Sequence, residues 1–290
     1  MPMLMPISRI LEHFLYPSKR LNALKLRHAL EGKTVLITGA SSGIGEQLAY
    51  LLAEIKVHLI LVARRKDRLI AIKNAIETKA AQVSLYPADL RDEKEMEGLL
   101  LYLHQLPNGL DIVVSNAGHS IKRPIYESLN RYHDFTRTMA INYFAPVRLM
   151  MSVLPLLEQK QGHIINVSTI NVLLLPLPYW AAYQASKSAF DTWFRSAAPE
   201  LIRQGMTATT VYFPLVRTPM IMPTAVYRNT PAMSPQQAAR WIGHAMYSKK
   251  TMYRPWWLPF GQWGSLLFRR CWELLLPKAL SRKEEKHEHR

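Results

Sequence analysis

The fold is predicted by the run Val35-Leu36-Ile37-Thr38-Gly39-Ala40-Ser41-Ser42-Gly43-Ile44-Gly45, which lies near the start of a 290-residue chain. Its first three residues have the composition of a buried strand, and residues 46–52 directly after it have the composition of a helix. Glycines at such a junction let the backbone turn sharply and let a pyrophosphate approach the free N–H groups of the helix. The run therefore predicts a strand, a phosphate-binding turn and a helix. An ordinary strand-to-helix turn is the alternative.

The rest of the chain alternates between strand-like and helix-like segments. Apolar, β-branched runs recur at residues 34–37, 57–63, 111–115, 163–168 and 207–213, with helix-length segments between them. Such alternation favours a parallel sheet that is covered by helices on both faces. We therefore predict an α/β fold with one doubly wound domain at residues 33–250. A basic, apolar extension would flank it on each side, at residues 1–32 and 251–290.

Tyr183 and Lys187 lie four residues apart in the run Tyr183-Gln184-Ala185-Ser186-Lys187. Positions i and i+4 project from one face of a helix, so the ammonium can lie close to the phenol. Because a nearby positive charge favours phenolate, we expect Lys187 to lower the pKa of Tyr183 and so make it usable for proton transfer. Ser168 lies fifteen residues before Tyr183 and could add a hydroxyl donor. Taken alone, Ser168 could equally be a strand-end serine that caps a turn.

Six segments in chain order resemble the motifs of the short-chain dehydrogenase/reductase family. The glycines have the spacing Gly-x-x-x-Gly-x-Gly, which differs from the common dinucleotide fingerprint and is similar to that of the family. The other five segments are Asn116-Ala117-Gly118, Ile141-Asn142, Ile164-Ile165-Asn166-Val167-Ser168, the Tyr183 and Lys187 pair, and Pro214-Leu215-Val216-Arg217-Thr218. The resemblance spans roughly residues 33–250 and implies a Rossmann-type fold and an enzyme that transfers hydride.

The resemblance also implies a role for each member of the catalytic set. Tyr183 would be the general acid that protonates the developing alkoxide, and Lys187 would hold the ribose of the nicotinamide. Ser168 would donate a hydrogen bond to the substrate oxygen, and Asn142 would fix a water in the proton relay that reaches Lys187. These residue types suit the chemistry, because hydride addition to a carbonyl builds negative charge on oxygen and positioned donors stabilise it.

The cofactor is suggested by the two residues that follow the second apolar run, Arg64 and Arg65. An acid at this point would suit the ribose hydroxyl of NAD, whereas arginine suits a 2′-phosphate. We therefore expect NADPH, with Arg64 as the first candidate ligand of the phosphate and Arg65 as the second; a solvated helix start is the alternative. By resemblance, Asp89 contacts the adenine. The full expected cofactor set is Gly39, Ser41, Ser42, Gly43, Ile44, Gly45, Arg64, Arg65, Asp89, Asn116, Ala117, Gly118, Tyr183, Lys187, Pro214, Val216 and Thr218.

The net charge of +16 is concentrated at the two ends of the chain. Residues 1–33 carry six basic and two acidic side chains, and residues 249–290 carry ten basic and four acidic ones, so ten of the sixteen charges lie there. Both ends are also apolar and tryptophan accompanies the basic residues at the back, a combination typical of an interfacial helix on anionic lipid. Packing on the core or on a second subunit is the alternative. We expect no nucleic-acid partner, because the basic residues are dispersed and no reading module is present.

Histidine and cysteine give weaker expectations. The ten histidines show no metal-ligand spacing, so we expect no metal. The single cysteine, Cys271, suits a reducing compartment, and we expect a cytoplasmic protein that can lie peripherally on a membrane. By family resemblance, the segments at residues 131–158 and 179–204 would pair subunits in a homodimer or homotetramer.

A closer resemblance is to the bacterial fatty acyl-CoA reductases within the same family. It is carried by the residues that follow Asn116-Ala117-Gly118, by the run around Asn142, and by the segment from Pro214 to Thr224. Leu215 departs from the glycine frequent in the whole family but is expected in this subgroup. The resemblance implies reduction of a long-chain acyl-CoA to the aldehyde. The alternatives are a ketone, hydroxysteroid or 3-oxoacyl reductase, and a membrane-associated scaffold that binds nucleotide without turnover.

Overall fold

The computed structural model describes residues 11–12, 14–17, 19–222, 227 and 230–288. The strands are β1 (Thr34–Thr38), β2 (His58–Ala63), β3 (Gln82–Pro87), β4 (Ile112–Ser115), β5 (His163–Thr169), β6 (Thr207–Phe213) and β7 (Met252–Tyr253). The helices are α1 (Ala23–Leu30), α2 (Gly43–Leu52), α3 (Lys66–Ile76), α4 (Glu93–His104), α5 (Tyr132–Met139), α6 (Ala145–Gln159), α7 (Ala181–Arg203), α8 (Pro235–Ser248), α9 (Leu258–Leu267) and α10 (Arg269–Glu288).

Within the described residues, the strands form one parallel sheet in the order β3-β2-β1-β4-β5-β6-β7. The five apolar runs singled out in the sequence correspond to β1, β2, β4, β5 and β6. The predicted α/β fold, a doubly wound parallel sheet with helices on both faces, is therefore confirmed. The two-residue strand β7 was not expected, since so short a segment leaves no periodic pattern; it pairs with β6 through Thr210 and Val211.

The sheet is buried on both faces, which explains why its strands are almost continuously apolar. Successive side chains of a strand point to opposite faces, and β1 divides accordingly. Val35 and Ile37 pack in the cluster that includes α2 and α8, while Leu36 packs in the cluster that includes α4 and α6. These two layers hold the carboxyl ends of the central strands at fixed positions.

A long helical segment, residues 132–159, covers one face of the sheet. It consists of α5, a π-helical turn at Ala140–Phe144, and α6. Among the described helices it is the one whose length and composition would suffice to cross a membrane. It also buries Leu149, Val153 and Leu157 in the core, which is the common arrangement for an apolar helix of an α/β domain. The π-helical turn changes the direction of the side chains midway and carries Asn142.

The two extensions differ in how much of them packs on the core. Helix α1 buries Leu26 and Leu30 in the same cluster as β1, and Tyr16 is also buried there. Helix α9 buries Leu258 but leaves Phe260 and Trp263 exposed by more than half. Packing on the core, the alternative named above, thus holds for the described part of the front extension and for the start of the back one. The apolar positions before residue 11 lie outside the described residues, and the division at residues 32 and 250 stays a prediction.

Candidate active site

The site lies at the point in the sheet where successive strands change from one side of β1 to the other. Strands β2 and β3 lie on one side of β1, whereas β4 to β7 lie on its other side, so a crevice opens at the carboxyl ends of β1 and β4. Ligands of doubly wound sheets bind at such a point. Here it brings the glycine-rich turn after β1 beside Asn116-Ala117-Gly118 after β4.

The turn after β1 has the backbone conformation that its glycines predict. Gly39 and Gly43 have positive φ angles of 68° and 61°. A Cβ atom on Gly39 would lie 2.8 Å from Cα of Ala117, and one on Gly45 would lie 2.5 Å from the carbonyl oxygen of Gly39. No side chain fits at these positions. The N-terminus of α2, which begins at Gly43, therefore faces the crevice with no side-chain cap from Ser42.

Asn116 fastens the two loops of the crevice to each other. Its side-chain amide donates to the carbonyl oxygens of Thr38, at 2.9 Å, and Gly39, at 3.3 Å. In return, the Thr38 hydroxyl accepts from the backbone N–H groups of Asn116 and Ala117, both at 3.0 Å. One asparagine and one threonine thus set the distance between the ends of β1 and β4.

Asn142 acts in the same way one layer deeper. Its side-chain amide donates to the carbonyl oxygen of His119 at 2.8 Å and to the Ser186 hydroxyl at 2.9 Å, while its oxygen accepts from the N–H of His119 at 2.8 Å. The residue therefore ties the loop after β4 to α7. A Cβ on Gly118 would lie 3.0 Å from the Asn142 oxygen and 3.6 Å from Nζ of Lys187, so Gly118 leaves the space between them.

Tyr183 and Lys187 both project from α7 into the crevice, as their spacing predicts. Nζ of Lys187 donates to the carbonyl oxygen of Val167 at 3.1 Å. Burial lowers the pKa of Lys187 to about 8, and the carboxylate of Asp191 opposes this shift. Burial also raises the pKa of Tyr183 to about 12, opposed by a hydrogen bond with Thr169.

The expectation that Lys187 lowers the pKa of Tyr183 is therefore wrong for this structure. The loss of water around the buried phenolate is the largest cause of the raised pKa and outweighs the hydrogen bond with Thr169, which lowers it. With its pKa raised to about 12, Tyr183 is a neutral phenol at physiological pH. A neutral phenol can donate a proton, which is the form that a general acid needs.

The Ser168 hydroxyl has a partner within the protein. Its hydroxyl donates to the buried carboxylate of Asp191 at 3.3 Å, and the Tyr212 hydroxyl donates to the other oxygen of that carboxylate at 3.3 Å. The hydroxyl that hydrogen-bonds the Tyr183 phenol belongs to the next residue, Thr169. Both Ser168 and Thr169 line the same cavity, so Thr169 is a second candidate for the hydroxyl donor beside Ser168.

The two arginines after β2 also take different positions. Nη2 of Arg65 donates to the hydroxyls of Ser41, at 3.0 Å, and Ser42, at 2.8 Å. Nη1 of Arg64 lies 3.8 Å from the carboxylate of Asp89, and the Arg64 side chain is 63% exposed. The sequence favours Arg64 as the phosphate ligand, whereas Arg65 is the one that lies over the glycine-rich turn.

Asp89 is held in its ionised form. Its carboxylate accepts from Nε and Nη2 of Arg91, at 3.0 Å and 2.6 Å. The Arg91 hydrogen bonds lower the pKa of Asp89, more than burial raises it. An adenine contact at Asp89 would therefore be made beside a salt bridge.

A cavity of about 740 Å³ joins these groups. Of the predicted residues, only Gly45 and Asn142 are absent from its wall. The predicted residues that line it are Gly39, Ser41, Ser42, Gly43, Ile44, Arg64, Arg65, Asp89, Asn116, Ala117, Gly118, Ser168, Tyr183, Lys187, Pro214, Val216 and Thr218. One continuous space therefore extends from the glycine-rich turn to Tyr183.

Several wall residues were not predicted. They are Tyr16, Thr169, Trp180 and Tyr227, among others. The Trp180 ring lies 5.7 Å from that of Tyr183 and is stacked on that of Tyr227 at 6.0 Å. Aromatic residues beside Tyr183 are visible in the sequence, but nothing there indicates which of them face the cavity.

Comparisons with known proteins identify the family of the chain. The family pattern described as short chain dehydrogenase matches residues 33–227. A fatty acyl-CoA reductase of Acinetobacter baylyi is 42% identical over 80% of this chain and 78% of its own length. A fatty acyl-CoA reductase of Mycobacterium tuberculosis is 41% identical over 78% of this chain and 77% of its own length.

Solved structures have the same fold. The short-chain dehydrogenase from Sphingobium yanoikuyae in complex with NADPH has a TM-score of 0.73 at 24% identity, over 83% of this chain and 95% of that one. The L-sorbose reductase from Gluconobacter frateurii, complexed with NADPH and L-sorbose, has a TM-score of 0.70 at 23% identity, over 77% of this chain and 95% of that one. The family pattern covers more than half of the chain and the relatives exceed 40% identity, so the chain belongs to the short-chain dehydrogenase/reductase family.

Proposed function

We propose that this chain is an NADPH-dependent reductase of a lipophilic carbonyl, and that its substrate is a long-chain fatty acyl-CoA reduced to the aldehyde. The observation that carries the proposal is one cavity that joins the Tyr183 phenol to Lys187, the Thr169 hydroxyl and a glycine-rich turn. A scaffold without turnover has no need for this combination. The relatives named fatty acyl-CoA reductases support the choice of substrate.

The residues around the turn fit NADPH. The positive φ angles at Gly39 and Gly43 and the uncapped N-terminus of α2 suit a pyrophosphate. Arg65 and Ser41 would hold the 2′-phosphate, because a guanidinium and a hydroxyl both donate to phosphate oxygens. Lys187 would hold the nicotinamide ribose. When bound, NADPH supplies the hydride that adds to the substrate carbonyl carbon.

Two side chains of the protein then stabilise the negative charge that develops on the substrate oxygen. Thr169 donates a hydrogen bond to that oxygen, and Tyr183 donates a hydrogen bond or its proton. With a thioester, the oxyanion is that of a hemithioacetal, and its collapse breaks the carbon–sulfur bond, leaves the aldehyde and releases a thiolate, which takes the proton of Tyr183 to become the thiol. With a ketone, proton transfer from Tyr183 ends the reaction at the alcohol.

The cavity near Tyr183 suits an apolar substrate. Its wall there includes Leu177, Trp180, Met220, Ile221 and Tyr227. A fatty acyl chain gains about 0.8 kcal/mol for each methylene that such a wall removes from water. The same wall would also accept a long-chain ketone, a hydroxysteroid or a 3-oxoacyl thioester. Reduction of one of these substrates is therefore the second candidate function.

We propose that the protein is cytoplasmic and acts at a membrane surface, and the exposed side of the back extension supports this. Phe260, Trp263 and Leu267 are each exposed by about two thirds or more, and Arg270 and Lys278 lie exposed on the next helix. Apolar rings beside basic side chains suit the interface of anionic lipid.

Pairing of subunits is proposed on the family resemblance. Tyr132, Phe144 and Met151 are exposed apolar residues on the long segment of α5 and α6, which is one of the two expected to meet a partner. Sedimentation equilibrium of the purified chain measures the assembly directly.

Removing the Thr169 hydroxyl should slow the reaction far more than removing that of Ser168. Thr169→Val keeps the side-chain shape but loses the donor, and kcat should fall by about 10² or more, as for other oxyanion donors. Thr169→Ser should retain most of the rate. Ser168→Ala should leave kcat within about threefold and lower the melting temperature, since a net hydrogen bond contributes about 1 kcal/mol. A larger loss in Ser168→Ala would restore the assignment made from sequence.

Replacing Arg65 should weaken the binding of NADPH more than that of NADH. Arg65→Ala should raise the Kd of NADPH by about ten- to a hundredfold, since hydrogen bonds to charged groups contribute about 1.5–3 kcal/mol. The Kd of NADH should change little, because NADH has no 2′-phosphate. Arg64→Ala is the matched variant and should cost less. Fluorescence titration measures both, and a greater loss in Arg64→Ala would reverse the order of the two arginines.

The substrate is tested by following NADPH oxidation with palmitoyl-CoA and, in parallel, with a ketone of matched length. Free thiol should appear at one equivalent per NADPH oxidised if reduction stops at the aldehyde. Tyr183→Phe should lower the rate by about 10²–10⁴ while NADPH still binds, because it removes only the general acid. NADPH loss with the ketone alone, without thiol, would move the protein to the second candidate function.

The exposed rings of α9 should contribute to lipid binding. Joint replacement Phe260→Ser and Trp263→Ser should weaken sedimentation with phosphatidylglycerol vesicles by at least about tenfold, since each buried ring contributes about 1.5–3 kcal/mol. The control is Leu101→Ser, which changes an exposed leucine of α4 in the core domain. This variant should bind the vesicles as the unchanged protein does. Equal binding by all three proteins would remove α9 from the membrane contact.

A further inference from the structure

Three arginines of the segment after β4 converge on one buried carboxylate, that of Asp134. Nε of Arg123 donates to it at 3.2 Å and Nε of Arg131 donates at 3.0 Å, while Nη2 of Arg137 lies 2.7 Å away. The Asp134 side chain is 2% exposed, whereas the arginine side chains are exposed by 30%, 39% and 38%. The carboxylate therefore fixes guanidinium groups that still reach the solvent.

This cluster of arginines carries more positive than negative charge. Burial raises the pKa of Asp134, but the hydrogen bond from Arg131 and the charges of the three arginines together lower it below its ordinary value. Asp134 is therefore ionised at physiological pH, and its single negative charge faces three positive ones. Residues 119–137 as a whole contain four basic and two acidic side chains, so no other carboxylate of the segment cancels the excess.

The terminal nitrogens of two of these arginines are available to a ligand. Arg123 and Arg131 both use Nε to bind Asp134, and within the described residues their Nη atoms have no hydrogen-bond partner. A guanidinium whose terminal N–H groups are free can donate to two oxygens of one phosphate. Because Asp134 already holds the guanidinium groups, a phosphate would meet donors that need little further ordering.

The cluster adjoins the candidate active site. Arg137 and His119 both line its cavity. Burial lowers the pKa of His119, and the charge of Arg137 lowers it further, so the two side chains lie near each other in the wall. On the other side, the N–H of Arg123 donates to the carbonyl oxygen of Tyr179 at 2.8 Å, directly before the wall residue Trp180. The three arginines therefore lie at the rim of the cavity.

We propose that Arg123, Arg131 and Arg137 form a subsite for the phosphate groups of coenzyme A in the acyl thioester. The subsite rests on the proposed function for the identity of the acyl carrier. The cavity of about 740 Å³ has the size of a site for one ligand, and NADPH with an acyl group leaves no room in it for a second nucleotide. The nucleotide end of the carrier therefore lies outside the cavity, where the exposed arginines of the rim meet it. Arg65, over the glycine-rich turn, serves the phosphate of NADPH instead.

Removing one guanidinium should weaken binding of the carrier without slowing the chemistry. Arg131→Met should raise KM for palmitoyl-CoA by about five- to twentyfold, because charge-assisted hydrogen bonds to phosphate are lost at a partly exposed site. The kcat should stay within about twofold, as expected when a residue binds substrate and transition state equally. KM for the palmitoyl thioester of N-acetylcysteamine, which has the same acyl group and no phosphate, should not change.

The matched control is Arg203→Met, which removes an exposed arginine at the end of α7 and should leave both KM values unchanged. An equal rise with both thioesters would mean that Arg131 acts on the acyl group or on the fold, and it would overturn the subsite. No rise with palmitoyl-CoA would overturn it as well.

Calorimetric titration of coenzyme A into the protein saturated with NADPH tests the subsite without turnover. The bound NADPH keeps coenzyme A, which is also an adenosine phosphate, out of the cofactor site. The Kd of coenzyme A should rise about five- to twentyfold in Arg131→Met. Arg131→Lys keeps the charge and a partner for Asp134 but lacks the paired donors, so its Kd should rise about two- to fivefold. It also serves as the test if the melting temperature shows that Arg131→Met does not fold.

The outcomes separate the subsite from the proposed function. If the unchanged protein binds coenzyme A but reduces no thioester, the proposed function falls and the subsite stands. If coenzyme A does not bind, or binds both variants as it binds the unchanged protein, the subsite is overturned whatever the enzyme reduces. A variant that sediments as a smaller assembly would place the arginines at a subunit contact and would also overturn it.

Discussion

The contact between the ends of β1 and β4 is the constraint on which the site depends. Gly39 approaches Ala117 so closely that no Cβ fits between them, and the Asn116 amide holds this approach by two hydrogen bonds to the turn. A side chain at position 39 would separate the loops, displace the N-terminus of α2 and move the crevice away from α7. Because strands β1 and β4 are fixed by a close-packed core on both faces, the sheet could not absorb such a change by local compression.

Within that crevice, burial has opposite effects on the two groups of the predicted pair. It raises the pKa of Tyr183 and lowers that of Lys187, because the interior disfavours each charged form. Spacing alone suggests that the lysine charge decides the state of the phenol, but desolvation is the larger effect. The Asp191 carboxylate supports the charge of Lys187, and it also accepts a hydrogen bond from the Ser168 hydroxyl.

Much of this arrangement could be predicted from the sequence, and the exceptions have specific causes. The turn, the order of the strands and the positions of Asn116 and Tyr183 follow from local patterns whose residue types have few alternatives. The choice between Ser168 and Thr169 depends on which way the last residues of β5 point, and a sequence fixes the alternation of side chains but not which set faces the cavity. The choice between Arg64 and Arg65 depends on the extended segment between β2 and α3, where neighbouring side chains point in opposite directions.

The extensions were the hardest part to predict, because their contacts join residues more than two hundred positions apart. Trp256 illustrates why composition misleads there. Its indole N–H is satisfied by the Phe14 carbonyl, while 49% of the residue stays exposed, so one side chain both packs and faces outward. Amphipathic rings allow this division of roles.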